Sequence, residues 1–384
     1  MKVLVLGAGR MGLGAAYDLA HNSEGVELVT VADVDAGRAR AVAETVGDAR
    51  VRPAQVDVED RARVVDLMRG HDSALSCVTY FHNLELARAA LQAGTHFCDL
   101  GGNNTVVDAE LALDEEARAA GVNVIPDCGL APGMVSVLAA HGAARFEELD
   151  EIHIRVGGLP QNPRPPLDYQ IVFSVEGLIN EYVERARVIR GGELTEVESL
   201  TEVESLDFPE PFGRMEAFQT SGGTSTLPET FLGKVRELDY KTIRYPGHCE
   251  RFKLLVSLGL ASSEAVEAGG VSVAPRRLLC ELLNRHLPSD EPDLVFIRLE
   301  FAGRLKGRGE TRLRYDIIDR FDPDTGLSAM QRTTAFPASV VAQMMARGLT
   351  SRRGAVPQER CLPAGAFVAE LARRRIRIEE SFVA

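Results

Sequence analysis

The sequence has no run of about 18 apolar residues, so it contains no segment of the kind that crosses a bilayer as a helix. The N-terminal stretch is apolar enough to suggest a signal peptide. Arg10 interrupts it, however, and the pattern fits a strand, a glycine turn and a helix better. We therefore expect a cytoplasmic protein with no membrane partner.

Cysteine is scarce and shows no regular spacing. The six cysteines contain no C-x-x-C pair, which argues against both a zinc site and a secreted disulfide framework. We predict reduced thiols, most of them buried, and no metal site.

Basic residues are outnumbered by acidic ones. With 43 Lys and Arg against 56 Asp and Glu, the formal net charge is -13, and no local basic patch interrupts the acidic surface. Such a surface repels nucleic acid and anionic lipid. A small molecule is therefore the expected partner.

The first third of the chain alternates short apolar runs with amphipathic segments. Examples of the apolar runs are KVLVLGA, VELVTVAD, SALSCV, HFCDL and VNVIPD. Strands alternating with helices at this spacing indicate a parallel sheet covered on both faces. We predict an α/β, doubly wound domain over residues 1–130.

The pattern changes after GLAPGM. The segments EIHIRVGGLP, LDYQIVFSVEGL, LVFIRLEFAGRLKGRG and ETRLRYDIIDRFD alternate like strands with one exposed face. We predict a second, α+β domain with a largely antiparallel sheet over residues 131–335. The spacing of FPASVVAQMMARGL predicts a helical segment over 336–384 that returns to the first domain.

The motif GAGRMG follows the first strand and opens a helix. Gly7, Gly9 and Gly12 permit a tight turn and a close approach of the backbone to a pyrophosphate, and Asp33 ends the next strand, where a carboxylate can bind the ribose hydroxyls. A carboxylate there favours NAD over NADP, although Arg38 and Arg40 follow closely and could neutralise a phosphate. The residues assigned to NAD here are Gly7, Ala8, Gly9, Arg10, Met11, Gly12 and Asp33.

The ends of three later strands should line the same crevice, because ligands of doubly wound sheets bind at the carboxyl ends of the strands. Asp99 and Asp127 are candidates for substrate binding or catalysis, but an Asp at such a position equally often caps local backbone N–H groups. The other candidates are Cys77, Val78 and Thr79 for the cofactor, Tyr80 for catalysis and Gly129 for the substrate.

A third region, FQTSGGTSTLPETF followed by TIRYPGHCE, contains Thr242 and Arg244 as candidates for substrate binding, and His248. The planar guanidinium of Arg244 matches a carboxylate through two hydrogen bonds. The alternative is a structural ion pair with an acidic side chain. His248 is a candidate for catalysis, with packing as the alternative.

These regions together resemble the saccharopine dehydrogenase-like family, and most of all its lysine 6-dehydrogenase branch. The resemblance is carried by LGAGRMG, CDLGGNN, CGLAPGM, GGLPQNPRPPLDY, TSGGTSTLPET and TIRYPGHCE. It implies a Rossmann domain, then a domain that holds the substrate and forms the oligomer. It also implies that Arg244 binds a substrate carboxylate. Saccharopine reductases of the family typically have G-L-D-P-G, whereas Ala131 stands in place of the acidic residue here.

The resemblance implies NAD-dependent oxidative deamination of L-lysine at its ε-carbon to 2-aminoadipate 6-semialdehyde, which cyclises, with release of ammonia. Asp99 or Asp127 would then bind the α-ammonium, and His248, Tyr80 and Asp127 are the candidates that handle the amine proton and the attacking water. The alternatives are a saccharopine-type reductase that condenses an amine with a carbonyl compound, and a non-catalytic NAD-binding protein. We expect a homo-oligomer, a dimer or larger.

Overall fold

The fold is taken from a computed structural model, and the structure describes residues 1–383. The chain forms two compact units: Met1–Phe146 with Gln331–Ile378, and Glu147–Met330 with the residues from Glu379 onward. None of the helices in the described chain is long and apolar enough to span a membrane.

The N-terminal part of the first unit alternates strands and helices. In chain order its elements are β1 (Lys2–Leu6), α1 (Arg10–His21), β2 (Leu28–Asp33), α2 (Ala36–Val46), β3 (Val51–Gln55), α3 (Arg61–Met68), β4 (Ser73–Ser76), α4 (Asn83–Ala93), β5 (His96–Asp99), α5 (Asn104–Leu111), α6 (Asp114–Ala120), β6 (Asn123–Ile125) and α7 (Val135–Ala143).

The second unit follows, and the chain then completes the first. The remaining elements are β7 (Phe146–Pro160), α8 (Val175–Val183), β8 (Ala186–Arg190), β9 (Glu193–Val197), β10 (Glu204–Phe208), β11 (Gly213–Gln219), α9 (Leu227–Phe231), β12 (Glu237–Arg244), α10 (His248–Ser257), β13 (Val266–Ala268), β14 (Val271–Val273), α11 (Pro275–His286), β15 (Asp293–Leu305), β16 (Gly309–Arg320), α12 (Ala329–Ala346), β17 (Gly354–Ala355), α13 (Gln358–Cys361), α14 (Ala364–Arg373) and β18 (Glu379–Val383).

The sheet of the first unit has the order β17-β6-β5-β4-β1-β2-β3, and its neighbouring strands are parallel. Its central strands are buried runs such as Val3–Leu6, as expected for a sheet covered on both faces. The strand order turns back at β1 and β4, so their carboxyl ends border a crevice suited to a ligand.

The second unit is built on a nine-stranded sheet. Seven of its strands have the order β10-β11-β12-β7-β15-β16-β18, and the other two, β8 and β9, join through the pairing of β8 with β12. β7 and β12 run parallel, whereas the pairs β10–β11, β11–β12, β15–β16 and β16–β18 are antiparallel. The predicted fold class, a doubly wound parallel sheet plus an α+β domain with a largely antiparallel sheet, is confirmed.

The units divide the chain at other places than the predicted 130 and 335. The first unit continues to Phe146, because α7 packs against α13 and α14 of the same unit. The C-terminal residues are not helical throughout, since β17 adds a strand to the first sheet and β18 pairs with β16 in the second unit.

One strand prediction was wrong. The segment LDYQIVFSVEGL forms no strand, and its second half begins α8. The Ser174 side chain caps this helix by accepting a hydrogen bond from the Gly177 N–H at 3.0 Å, and Val175, Leu178, Ile179 and Tyr182 are buried at helical spacing. The cap and the helical period therefore outweigh the β-branched and aromatic content of the segment.

Candidate active site

The glycine motif forms a turn that only glycine permits. Gly7 has a φ of 99°, and its N–H donates to the Ala32 carbonyl at 2.7 Å. A Cβ on Gly12 would lie 1.9 Å from the Gly7 carbonyl oxygen, so β1 and α1 pack too closely for a side chain.

Gly9 faces open space instead. A Cβ built on Gly9 would meet no atom within 4 Å, and Gly9 precedes α1 without a side-chain hydrogen bond to cap the helix. The first N–H groups of α1 are thus available to an anion, and the glycine at this point leaves room for it. These residues fit the pyrophosphate of a dinucleotide.

Asp33 is fixed next to this turn. Its Oδ2 accepts from the Ala8 N–H at 2.8 Å, and its Oδ1 accepts from the Asp35 N–H at 2.9 Å. Each carboxylate oxygen keeps a lone pair after these bonds. The carboxylate is therefore oriented to accept from ribose hydroxyls. Arg38 is exposed and pairs with Asp35 at 3.8 Å.

The end of β4 supplies the next candidates. The N–H of Cys77 donates to the Leu6 carbonyl at 2.7 Å. Cys77 and Val78 are both half-buried. Thr79 is exposed and precedes a single helical turn that begins at Tyr80. The Tyr80 ring lies so close to Gly102 that a Cβ on this glycine would come within 3.1 Å of it.

The ends of β5 and β6 meet through Asp99. This side chain is fully buried, and its Oδ1 accepts from the N–H groups of Gly101 at 2.6 Å and Asp127 at 3.3 Å. Asp127 has a φ of 60°, and its own carboxylate lies against Gly101. Gly129 is buried against Leu100.

Glu110 of α5 completes a buried acidic cluster that the sequence did not reveal. It is fully buried close to Asp99, and neither of its carboxyl oxygens has a hydrogen-bond partner within residues 1–383. Burial raises the pKa of Asp99 to about 6, and burial together with the adjacent Asp99 raises the pKa of Glu110 to about 11. Two carboxyl groups buried this close together cannot both carry a charge, so Glu110 keeps its proton at neutral pH.

In the second unit, Tyr240, Thr242 and Arg244 alternate along β12 and so share one face of the sheet. Thr242 hydrogen bonds Thr220 at 2.7 Å, and a Cβ on Gly223 would come within 2.4 Å of the Tyr240 ring. The predicted Ser/Thr/Gly segment therefore packs on the face that carries Arg244.

Arg244 is a buried cation without a carboxylate partner. Its side chain is 2% exposed, its Nη1 donates to the Ile243 carbonyl at 2.9 Å, and its guanidinium lies 4.7 Å from the centre of the Tyr169 ring. Within residues 1–383, no Asp or Glu oxygen lies within 4.0 Å of it, so the alternative of a structural ion pair is not seen. The other buried arginines of this unit do have such pairs: Arg155 with Asp239 at 2.9 Å and Arg298 with Asp316 at 2.7 Å.

A hydrogen-bonded chain supports Arg244. Its Nε donates to the Tyr182 hydroxyl at 2.9 Å, and that hydroxyl lies 3.0 Å from Nε2 of His248, whose Nδ1 lies 2.9 Å from the Leu167 carbonyl. A carbonyl only accepts, so Nδ1 carries the proton and Nε2 accepts from Tyr182. Burial, reinforced by the Arg244 cation, lowers the pKa of His248 to about 3.

The structure therefore gathers the predicted residues into two sets. The first unit brings together the glycine motif and Asp33, and also Asp99, Asp127 and Gly129. The second unit brings together Arg244, Thr242 and His248, with Tyr182, Tyr169 and the half-buried Glu181 as additions. No group of three or more His, Cys, Asp or Glu able to hold a metal ion was found in the part of the chain that the structure describes.

Comparison with known families matches both parts of the chain. Residues 3–125 match the saccharopine dehydrogenase NADP binding domain, and residues 129–376 match the saccharopine dehydrogenase C-terminal domain.

Two curated relatives share about a quarter of their residues with the matched region. The mitochondrial alpha-aminoadipic semialdehyde synthase of Mus musculus is 23% identical over 315 residues, which cover 78% of this chain and 33% of that protein. The saccharopine dehydrogenase [NADP(+), L-glutamate-forming] of Schizosaccharomyces pombe is 23% identical over 281 residues, which cover 69% of this chain and 59% of that protein. The chain thus spans less than two thirds of the length of either relative.

A solved structure shares the fold over the whole length. The apo saccharopine dehydrogenase (L-Glu forming) from Saccharomyces cerevisiae superposes with a TM-score of 0.82 at 19% identity, covering 100% of both chains. The second family match alone covers well over half of this sequence. The chain therefore belongs to the saccharopine dehydrogenase family.

Proposed function

We propose that this protein is an NAD-dependent dehydrogenase that deaminates L-lysine oxidatively at its ε-carbon. The observation that carries the proposal is Arg244, a buried guanidinium with no carboxylate of residues 1–383 within 4.0 Å. A buried charge without a partner is costly, so a ligand carboxylate is the group that this site lacks. An amino acid supplies that group.

The smaller substrate is favoured by Ala131. Its side chain carries no charge at the position where saccharopine reductases typically have an acidic residue that contacts their larger substrate. The relatives named above are called an alpha-aminoadipic semialdehyde synthase and an NADP(+)-dependent saccharopine dehydrogenase, and neither name is that of a lysine 6-dehydrogenase. We therefore rest the choice of lysine on Arg244, Ala131 and the resemblance of the motifs.

The proposed reaction converts the ε-ammonium of lysine, NAD and water into 2-aminoadipate 6-semialdehyde, NADH, ammonium and one proton. The semialdehyde then cyclises to piperideine-6-carboxylate. When bound, the nicotinamide supplies the hydride acceptor. The ε-ammonium, whose pKa in water is about 10.4, must first lose a proton, so the rate should rise into the alkaline range.

Tyr80 and Asp127 are the groups that we propose for the proton of the amine and for the attacking water, because both lie at the carboxyl ends of strands in the first unit. His248 was a third candidate. Since both of its ring nitrogens are hydrogen bonded to protein groups, we propose instead that it positions Tyr182 and, through it, Arg244.

We propose NAD rather than NADP as the cofactor. The fixed carboxylate of Asp33 accepts hydrogen bonds from ribose hydroxyls and repels a 2′-phosphate. The matching family domain is described as NADP binding, which makes the choice a direct target for experiment. Neither Arg38 nor Arg40 is buried, and Arg38 already has Asp35 as its neighbour.

We also propose a homo-oligomer in the cytoplasm. Exposed leucines on α10, directly after it and on α11 support an interface, because a second copy of the chain would bury them. These residues are Leu254, Leu258, Leu278 and Leu282. Light scattering after size-exclusion chromatography measures the mass directly.

The proposal is tested by incubating the purified protein with NAD and each of a panel of amino acids at about pH 9.5, and following NADH. Turnover of lysine with release of ammonia supports it. Turnover only in the reductive direction, with an amine and a carbonyl compound both required, would support the saccharopine-type reaction that the named relatives suggest. Binding of NAD without turnover would support a non-catalytic protein.

A further inference from the structure

Glu181 is held next to the residues that position Arg244. It lies in α8 immediately before Tyr182, whose hydroxyl accepts from the Arg244 Nε. The Ser221 N–H donates to the Glu181 carbonyl at 2.9 Å, which fixes this end of α8 against the segment after β11. The backbone position of Glu181 is thus determined by both the helix and its neighbour.

The carboxylate of Glu181 has no partner of its own. The side chain is half-buried, and none of the described residues 1–383 forms an ion pair with it or donates a hydrogen bond to it. Its charge is close enough to interact with Arg244, yet the two groups are more than 4.0 Å apart, the limit for an ion pair.

A cation and an anion that lie near each other without forming an ion pair, as Arg244 and Glu181 do, can together bind a ligand that carries both charges. An α-amino acid carries its carboxylate and its ammonium on one carbon, so it can pair with an arginine and a glutamate at the same time. Asp99, the other candidate for the ammonium, is fully buried, and its Oδ1 already accepts from the Gly101 and Asp127 N–H groups.

We propose that Glu181 binds the α-ammonium group of the substrate while Arg244 binds the α-carboxylate. This assignment rests on the proposed function, because it takes the substrate to be an α-amino acid. Together the two side chains would make the site specific for α-amino acids over amines or acids that carry only one of the two groups.

The protonation state of Glu181 should be visible in the pH dependence of catalysis, which gives a second test of the assignment. Burial raises the pKa of Glu181 to about 7, the neighbouring Glu184 adds to this, and Arg244 opposes it. The titratable groups around Glu181 are Arg244 and Tyr240 from β12, Tyr169 from the segment before α8, and Tyr182 and Glu184 of its own helical segment. A protonated Glu181 cannot pair with an ammonium, so kcat/KM for lysine should fall more steeply below about pH 7.

The test compares lysine with 6-aminohexanoate, which lacks only the α-amino group. Wild-type protein should prefer lysine by on the order of a hundredfold in kcat/KM. In Glu181→Gln, lysine should lose that factor, 6-aminohexanoate should change by less than about threefold, and the steeper fall in the acid range should disappear. Glu181→Asp, which keeps the charge, should regain part of the preference.

Glu184→Gln is the matched control, since it removes a charge from the exposed end of the same helix and should keep the preference for lysine. A Glu181→Gln protein that binds NAD normally and still prefers lysine by the wild-type factor overturns the assignment. If wild type turns over another amino acid, the same comparison is made with that amino acid and its analogue without the α-amino group.

Wild-type protein that turns over no amino acid overturns the proposed function. In that case, calorimetry of lysine binding tests the role of Glu181 without the need for turnover. Lysine binding that Glu181→Gln abolishes supports the assignment, whereas no lysine binding by NADH-loaded wild type overturns it as well.

Discussion

Replacing Arg244 by methionine should separate substrate binding from folding. The loss of two charge-assisted hydrogen bonds to the α-carboxylate costs about 2 to 3 kcal/mol, which raises the KM for lysine by on the order of a hundredfold. The KM for NAD should stay unchanged, because the NAD candidates lie in the other unit. Cadaverine, which is lysine without its carboxylate, should be used equally well by both proteins.

Although Arg244→Met should weaken substrate binding, it should not destabilise the fold. Methionine keeps apolar contact with the Tyr169 ring and removes a buried cation that forms no ion pair with any described residue, so the free energy of unfolding should stay unchanged or rise by about 1 to 4 kcal/mol. Arg298→Met is the control. It strands Asp316 from its 2.7 Å partner and should destabilise by about 3 kcal/mol or more without raising the KM for lysine.

The two quantities come from steady-state kinetics at saturating NAD and from urea unfolding followed by circular dichroism. A folded Arg244→Met protein whose KM for lysine stays within about threefold of wild type refutes the role of Arg244 as the carboxylate ligand. A loss of stability as large as that of Arg298→Met would show that Arg244 is a structural residue instead.

Three further substitutions test other parts of the structure. Glu110→Gln should remove a pH dependence of stability. In the native state this carboxyl keeps its proton, because its pKa is raised from 4.5 to about 11, whereas in the unfolded chain it is ionised above its ordinary pKa. Between about pH 6 and about pH 8, the free energy of urea unfolding should therefore fall by about 3 kcal/mol more in wild type than in the variant. Glu116→Gln, on the exposed side of α6, should keep the wild-type slope, and equal slopes in all three proteins would contradict a proton retained on Glu110. Asp33→Ser should lower the preference for NAD over NADP in kcat/KM by at least about tenfold, and an unchanged ratio would show that the carboxylate does not select the cofactor. Tyr182→Phe removes the acceptor of the Arg244 Nε and should raise the KM for lysine about tenfold with kcat near wild type, whereas a fall in kcat alone would contradict a positioning role.

The cofactor half of the site could be predicted from the sequence because its geometry is local. The spacing of Gly7, Gly9 and Gly12 is dictated by the turn between β1 and α1, and Asp33 follows from the length of the next strand. Each of these constraints acts over a few residues, so it can be recognised in the printed sequence.

The substrate-binding part of the site could not be predicted in full, because the sequence pattern predicts a strand where the chain leads into helix α8. LDYQIVFSVEGL alternates like a strand, so Tyr182 and Glu181 were not placed near Arg244; the Ser174 cap and the buried positions of α8 decide for a helix. The sequence does contain the signal for a helix, a serine three residues before Gly177, but the prediction gives more weight to the β-branched and aromatic residues of the segment.

Glu110 was missed for a different reason. In the sequence it is one of many acidic residues on short amphipathic helices, and it lies three positions after Val107, on the face that packs inward. Only the three-dimensional fold brings this face onto Asp99. Burial of a charge is a tertiary property, which the spacing of residues along the chain does not determine.

Lysine labelled with nitrogen-15 at the ε-position tests the proposed reaction most directly. The purified protein is incubated with this substrate and NAD, and the released ammonium is examined by mass spectrometry alongside the NADH formed. We expect labelled ammonium in equal amount to NADH. Unlabelled ammonium, which would come from the α-position, or NADH formed without ammonium, would contradict deamination at the ε-carbon.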